Sequence, residues 1–514
     1  MSAATQNHAA RLSEISRLVD DRPAERVFEV DRRIFTDPAV YDAELRHIFE
    51  ATWNFIGLES QIARPNDFVT THIGRHPILV MRSADGKVGA FLNTCRHRGT
   101  IVCPFKQGRQ KFHVCRYHGW AYDSSGRNIS VTEEASGQYP PSFSNQNHDL
   151  LPVARLGSYR GFLFASLSAD VPQLEEFLGD TRAFLDLIID QSDSGEVEFV
   201  PGASTYTFDA NWKLQFENGL DYYHFATTHS SYVDILKKRN ASAGPDAGFT
   251  AEPEGEQEGQ GSFSFDYGHA VNWSIKRTQL YGRPLGMDTA RLDAVRQRVG
   301  STRAKWMLRQ RNLTIFPNLQ VIDILSAQVR TWRPLAPDKT EMVSHCLAPV
   351  GESAAARTLR IRNYEDFFNA SGLASSDDNV MYEFCQTGYD AATAAPTQGY
   401  LRGIADVGRG ESAHASELGI TPSEWSFGPT SFGGETTSIP ATASGAGCCG
   451  TPRGRRRDGS RCNQGNGCPR DRIRDHLPRG PPARRRRMGR LGRDVLRGCR
   501  LLGAGMARRI QHHQ

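Results

Sequence analysis

Two short loops constrain this 514-residue chain more than any other feature: Cys95-Arg-His97, a gap of seventeen residues, then Cys115-Arg-Tyr-His118. Each loop offers one sulfur and one nitrogen donor. The segments around them, FVTTHIG, HPILVMRSADGKVGAFLNTC and the later GFLFASL, alternate or run apolar, and Asp85-Gly86 reads as a hairpin turn between two of them. Small strands carrying two ligand loops predict a compact all-β domain built around a metal.

Two thiolates and two imidazoles are the ligand set of a Rieske [2Fe–2S] centre, in which two histidines replace two cysteines on one iron. A structural zinc site accepts the same four atoms. Zinc modules, however, pair cysteine with cysteine and histidine with histidine, whereas each loop here is mixed. Cys95, His97, Cys115 and His118 are therefore assigned to an iron–sulfur cluster. Gly99 and Gly119-Trp120 are expected to let backbone amides approach the cluster sulfurs. Cys103 has no companion thiol in the second loop, so it is expected to be a small buried hydrophobe and not half of a disulfide.

A second motif follows: Glu217-Asn-Gly-Leu-Asp221-Tyr-Tyr-His224-Phe-Ala-Thr-Thr-His229. Two neutral imidazoles and a carboxylate on one face of an Fe(II) ion leave coordination positions open for dioxygen. Asp221 and His224, three apart, would share a helix face. His224 and His229, five apart, would point about 140° from each other on a regular helix, so the helix must bend, loosen or end between them. Asn218-Gly219 and Thr227-Thr228 are the places for that irregularity. A histidine pair on a helix is more often plain packing; the cluster motif upstream is what favours a second metal.

Together, the cluster loops and DYYHFATTH resemble the large (alpha) subunit of Rieske non-haem iron aromatic-ring-hydroxylating oxygenases, over roughly residues 25 to 435. The resemblance implies that His118 of one subunit touches Asp221 of its neighbour, which touches His224, so that Asp221 is a catalytic bridge between the two metals. It implies a third iron ligand at the acidic start of Ser375-Ser376-Asp377-Asp378, with Asp378 the ligand, Asp377 in reserve, and Ser376 or Asp377 capping the helix. It further implies dioxygen as co-substrate and electrons from NAD(P)H through a reductase, sometimes with a ferredoxin. The assembly would be a ring of three alpha subunits, commonly with three small beta subunits (α3 or α3β3). The phrasing NWKLQFENGLDYYH is closest to members acting on aromatic carboxylates such as benzoate, halobenzoate, salicylate or anthranilate. The alternatives are a Rieske-type monooxygenase, including an O-demethylase, and a pure electron-transfer protein that would need only the first motif.

The expected fold class is α+β: a helical lead-in over 1–40 that packs with the catalytic domain, a Rieske domain over 41–165, and a catalytic iron domain over 166–435 with an antiparallel sheet covered by helices. RLSEISRLVDD shows apolar positions at helical spacing, EEFLGDTRAFLDLIID reads as an amphipathic helix, and LQVIDILSAQVRTWRPL as strands. The Gly- and Glu-rich stretch 247–263 reads as a surface loop. Phe216, Leu220, Phe225 and the stretch 312–325 are candidates to line an apolar substrate pocket, and more often such residues are simply core. A buried substrate carboxylate needs a donor, for which Arg330 and Arg333 are candidates. No apolar run is long enough to cross a bilayer, no amino-terminal signal pattern is present, and the cysteines before 436 are scattered apart from the cluster pair, so a cytoplasmic, membrane-free protein is expected.

The segment 436–514 departs from this composition. It holds nineteen arginines, no lysine, no glutamate and four aspartates, which makes it +15 and leaves the preceding residues at −10. A basic nucleic-acid tail centred on Arg484–Arg487 is one reading. A frameshift is the other: TTSIPATASGAGCCG can be encoded so that a shifted frame reads NFHSGYREWRRLLR, a sensible amphipathic helix, and arginine without lysine or glutamate is poor protein usage. On that reading the tail is disordered, and the pI near 8.6 carries no implication of nucleic-acid binding.

Overall fold

The computed structural model describes residues 14–22, 25, 27–243, 259–275, 283–393, 397–399 and 407–428. The arginine-rich segment lies outside them.

The cluster domain is built on a four-stranded sheet, in spatial order Val88–Leu92, His76–Arg82, Asp67–Ile73 and Gln107–Arg109. Its second strand is buried on both faces, because side chains alternate along it. Leu79 and Met81 enter a core with Phe68, Cys103, Trp120 and Tyr122. Ile78 and Val80 enter another with Ile62, Ile73 and Leu163. Gly86 takes φ +87° in the turn between the first two strands, which a side chain would resist. A three-stranded sheet of Phe112–Val114, Ala121–Asp123 and Asn128–Ser130 carries the second ligand loop.

A third sheet, Arg155–Tyr159, Phe162–Ser166 and Asn54–Leu58, is a wall shared by both halves of the molecule. Phe55, Phe162 and Phe164 face the catalytic core, while Ile56, Leu163 and Ala165 face the cluster domain. The boundary expected at 165 therefore falls at a buried strand and not at a linker.

The catalytic half centres on a nine-stranded antiparallel sheet. Its spatial order is Val197–Phe199, Lys339–Pro349, Ala327–Ala336, Leu319–Asp323, Gln310–Ile315, Ala270–Ile275, Gly259–Ser264 and Glu424–Gly428, with Ser204–Phe208 also pairing to Lys339–Pro349. Period-two alternation gives the central strands unlike faces. Leu313, Ile315, Leu319, Val321 and Val329 join Leu285, Leu292 and Trp306 from the helices Pro284–Met287, Thr289–Val299 and Ser301–Leu308. The opposite face presents buried Asn272, Asn312, Gln320, Gln328 and Arg330 toward the segment that carries the second motif. Gln320 bonds to Gln215, and Asn272 donates to the Leu220 carbonyl.

Three local expectations change. Residues 1–13 of the lead-in lie outside the described residues; within the rest, Val19–Arg22 and Val27–Asp31 form a hairpin whose second strand pairs with Thr397–Gly399, ahead of the helices Arg33–Thr36 and Pro38–Glu44. Valines with alternating burial, paired to a distant strand, override the helical spacing of the preceding residues. Its Phe28, Val30 and Phe35 do pack in one core with Trp212 and Phe216 of the catalytic half. The stretch 247–263, read as a loop, ends in the strand Gly259–Ser264, buried throughout. Its glycines are there for close packing, since a Cβ on Gly261 would collide with the Trp273 ring. The single helix expected over 175–190 is split into Leu174–Leu178 and Arg182–Ile189 at Gly179, which takes φ +50°.

Candidate metal centres

The two cluster loops are near-copies. In each, the cysteine N–H donates to the carbonyl five residues on (Cys95 to Thr100, Cys115 to Trp120, both 2.8 Å), and a glycine N–H returns to the cysteine carbonyl (Gly99 and Gly119, both 2.9 Å). Both glycines sit at φ +74°. The glycines' own amides are thus spent on closing the turn. The turn puts both cysteines inside, 4% and 2% exposed, and both imidazoles outward, with ring centroids 4.5 Å apart. His97 also stacks on Trp120 at 5.1 Å. Sulfurs below and nitrogens above suit a two-iron cluster with one iron held by each kind of donor. Tyr122, which sequence reasoning missed, bonds to Cys95 Sγ at 3.3 Å and accepts from the Arg96 amide at 3.0 Å. Burial raises the Cys95 thiol, with the Tyr122 hydroxyl pulling the other way. Cys103 is buried in the same core, as expected.

The second motif is not one helix. Trp212–Asn218 is capped by Asn211, whose side chain accepts from the Lys213 amide. The chain then turns through 219–224, makes the short helix Phe225–Thr228, and restarts at Ser230 after His229 leaves helical geometry (φ −102°, ψ 28°). The irregularity demanded by the five-residue spacing is therefore at His229 itself. Asp221 and His224 meet without a shared helix face. An Asx turn, in which Asp221 Oδ1 accepts from the Tyr223 amide at 2.6 Å, leaves Oδ2 3.2 Å from His224 Nδ1. Burial opposes a charged His224, but its contacts with Asp221 outweigh that and raise its pKa.

Asp378 comes from Ser375–Tyr389, a helix whose N-cap is Ala374, so neither Ser376 nor Asp377 caps it. Asp378 Oδ1 lies 3.1 Å from His229 Nε2 and 3.5 Å from His224 Nε2, and donor atoms of all three side chains fall within 4.8 Å of one another. Metal–ligand bonds of about 2.1 Å at right angles would separate neighbouring donors by about 3 Å, so the trio fits one ion with other positions open. Burial works against the Asp378 carboxylate, but His229, His224 and Arg330 together hold it below its ordinary value. Asn218, expected only as a place of irregularity, puts its amide 3.2 Å from Asp378 Oδ1 and 3.3 Å from His224 Nε2. Nothing in its spacing signals this. Asp377 lies on the far side of His229, its Oδ2 3.5 Å from Nδ1, outside the converging trio.

Of the expected pocket residues, Phe216 and Leu220 are core, whereas Phe225 stands 5.5 Å from the His229 ring and Ile322 joins Phe225, Phe367 and Phe368 beside it. Arg330 is 4% exposed and donates to Ser375 Oγ at 2.6 Å. Arg333 points to the other side, paired with Glu341 at 3.1 Å. There it lines a cleft of about 750 Å³ between the cluster domain and the sheet, with His72, Lys106 and His345. That cleft is a seam between the two halves and contains none of His224, His229 and Asp378.

A small β domain presenting a Cys2His2 pair of loops, joined to a helix-covered antiparallel sheet with a two-histidine, one-carboxylate cluster, defines a Rieske non-haem iron oxygenase. Comparison with known proteins agrees: residues 52–144 match the Rieske [2Fe-2S] domain and residues 199–417 the catalytic domain of the ring hydroxylating alpha subunit. The chain belongs to the ring-hydroxylating dioxygenase alpha-subunit family, and is an oxidoreductase with a Rieske cluster and a mononuclear iron. It is 42% identical to the toluate 1,2-dioxygenase alpha subunit of Pseudomonas putida, over 74% of this chain and 83% of that one. It is 38% identical to the 2-halobenzoate 1,2-dioxygenase large subunit of Burkholderia cepacia, over 79% and 87%. Its fold matches naphthalene 1,2-dioxygenase from a Rhodococcus species with a TM-score of 0.65 and 27% identity, over 77% of this chain and 90% of that one. Among the described residues no helix is long and apolar enough to cross a membrane.

Proposed function

We propose that this chain is the oxygenase component that hydroxylates an aromatic carboxylate, with Cys95, His97, Cys115 and His118 holding the cluster and His224, His229 and Asp378 holding the iron. The observation that carries it is the convergence of two imidazoles and one buried carboxylate within 4.8 Å. The bound metals supply single electrons and dioxygen activation; the protein supplies placement. Asn218 steadies Asp378, and the apolar group of Phe225, Ile322 and Phe367 keeps water from the face where an arene would lie. Both relatives compared above are named for aromatic acids, and Arg330 is suited to the acid group. It is buried on the iron side of the sheet, close enough to Asp378 to favour that carboxylate's charge, and its Nε has no hydrogen-bond partner. A substrate carboxylate would relieve that cost.

Asp221 serves as the bridge between His224 and His118 of a neighbouring copy. Within one chain its side chain meets Tyr223 and His224, while His118 meets His97 and Tyr117, so the bridge would form between copies, as a ring of three alpha subunits allows. Electrons come from NAD(P)H through a reductase, with or without a ferredoxin; beta subunits complete the assembly, and the enzyme works in the cytoplasm. The test is His224→Ala: hydroxylation of benzoate-type acids should vanish while the visible spectrum of the cluster is unchanged. A colourless parent protein with stoichiometric zinc, or an active His224→Ala variant, would defeat the assignment. Labelled dioxygen then counts the oxygen atoms that reach the ring.

A further inference from the structure

Behind His224 stands Asp221, 3.2 Å from its Nδ1, and behind His229 stands Asp377. His229 Nδ1 and Asp377 Oδ2 are both buried atoms without a hydrogen-bond partner, and they lie 3.5 Å apart. Among the described residues no other hydrogen-bond partner reaches His229 Nδ1. His229 meets the Phe225 and Phe367 rings in T-shaped contacts, and its Nε2 points to Asp378.

We infer that Asp377 is a positioning residue that accepts the Nδ1–H of His229, fixing the tautomer in which Nε2 carries the lone pair aimed at the iron. The inference rests on the ligand assignment proposed above. Its physical basis is that an imidazole binds a metal through one nitrogen only when the other is protonated, and a carboxylate on that proton both holds the ring plane and makes the ligand more basic. The adjacency of Asp377 and Asp378 then has a reason. Successive residues on a helix point about 100° apart, so one carboxylate reaches Nε2 of His229 and its neighbour reaches around to Nδ1. Each imidazole is thereby held between the metal and a carboxylate of its own, Asp221 for His224 and Asp377 for His229. Asp377 retains 34% side-chain exposure, which keeps its charge solvated while its second oxygen stays available.

The experiment is anaerobic Fe(II) binding by chelator competition on the cluster-loaded full chain, with the cluster absorbance and far-UV circular dichroism recorded alongside. Asp377→Ala should weaken Fe(II) binding about 10–100-fold with both spectra unchanged. Asp377→Asn, which keeps an acceptor oxygen in place, should stay within a few-fold of the parent. Binding by Asp377→Ala within two-fold of the parent overturns the inference, as does an equal loss in both variants, which would make charge and not acceptance the cause. If Asp377→Ala fails to fold, Asp377→Ser replaces it, being too short to reach Nδ1. Failure of both to fold assigns Asp377 to the fold and also overturns the inference. His229→Ala is the control: retention of Fe(II) there would mean that the ligand assignment, and not the role of Asp377, is wrong.

Discussion

Lys213 and Glu44 form an ion pair of 2.6 Å with side-chain exposures of 0% and 2%, and it ties the segment before the cluster domain to the helix that leads into the iron site. Glu44 also accepts from the Trp212 indole at 2.8 Å, and the Lys213 ammonium lies 5.4 Å from the Phe35 ring and 5.3 Å from the Trp212 ring. Lys213→Met keeps the volume and removes the charge, leaving a carboxylate buried against an indole N–H. Breaking a buried pair from one side costs about 3–5 kcal/mol, because the abandoned charge cannot regain water. Lys213→Met with Glu44→Gln removes both charges, and the amide oxygen still accepts from Trp212. The double variant should therefore recover most of the loss and lie within about 1 kcal/mol of the parent. Urea unfolding at neutral pH, followed by far-UV circular dichroism with cluster absorbance in parallel, measures all corners of the cycle. Fe(II) retention should follow the same order, since Lys213 lies in the first turn of the helix that Asn218 ends. A Lys213→Met variant as stable as the parent, or a double variant no better than the single, would refute the reasoning.

Tyr122→Phe withdraws a hydrogen bond from Cys95 Sγ. A bond worth about 0.5–1.5 kcal/mol corresponds to about 20–65 mV for one electron. The cluster potential should fall by that much in voltammetry, and an unchanged potential would mean that the hydroxyl does not face the sulfur in the loaded protein. Acid should destabilise the fold through buried imidazoles. Burial holds His113 and His269 at about 4, and His269 is fixed neutral by accepting from the Phe316 amide and donating to the Phe177 carbonyl. Between pH 6.5 and 4 the unfolded chain binds protons that the folded one refuses. Stability is therefore present above 6.5 and lost on acidification, by about 2 kcal/mol per histidine at pH 5. His113→Phe should flatten that slope in urea unfolding at pH 7 and 5; an unaltered slope counts against it. A chain ending at residue 435 should keep the parent's thermal midpoint and cluster spectrum, because the last described strand, Glu424–Gly428, is complete before it. Resequencing should find a base lost near the Thr436 codon, and a confirmed intact frame would end the frameshift reading.

The candidate cluster ligands were legible because their chemistry is local. A cysteine and a histidine two or three residues apart stay close whatever the rest of the chain does, and here both segments fold as the same turn, down to the matched glycines at φ +74°. The strands flanking them were legible for a similar reason, since period-two alternation is written in neighbouring residues. Asp378 was legible as the candidate ligand and Asp377 as its reserve, but the approach of Asp377 to His229 Nδ1 was not. Which of two adjacent carboxylates meets Nε2 and which meets Nδ1 depends on how the helix Ser375–Tyr389 is rotated against His229, more than 140 residues away. Asn218 was hidden likewise, as was the strand Gly259–Ser264, whose glycines mimic a loop until Trp273 and Phe427 are packed on them. Residue types and short spacings thus determined which metals this chain can hold. Only the packing of distant elements decided which oxygen, nitrogen or guanidinium points at them, because direction is set by contacts that no short stretch of sequence contains.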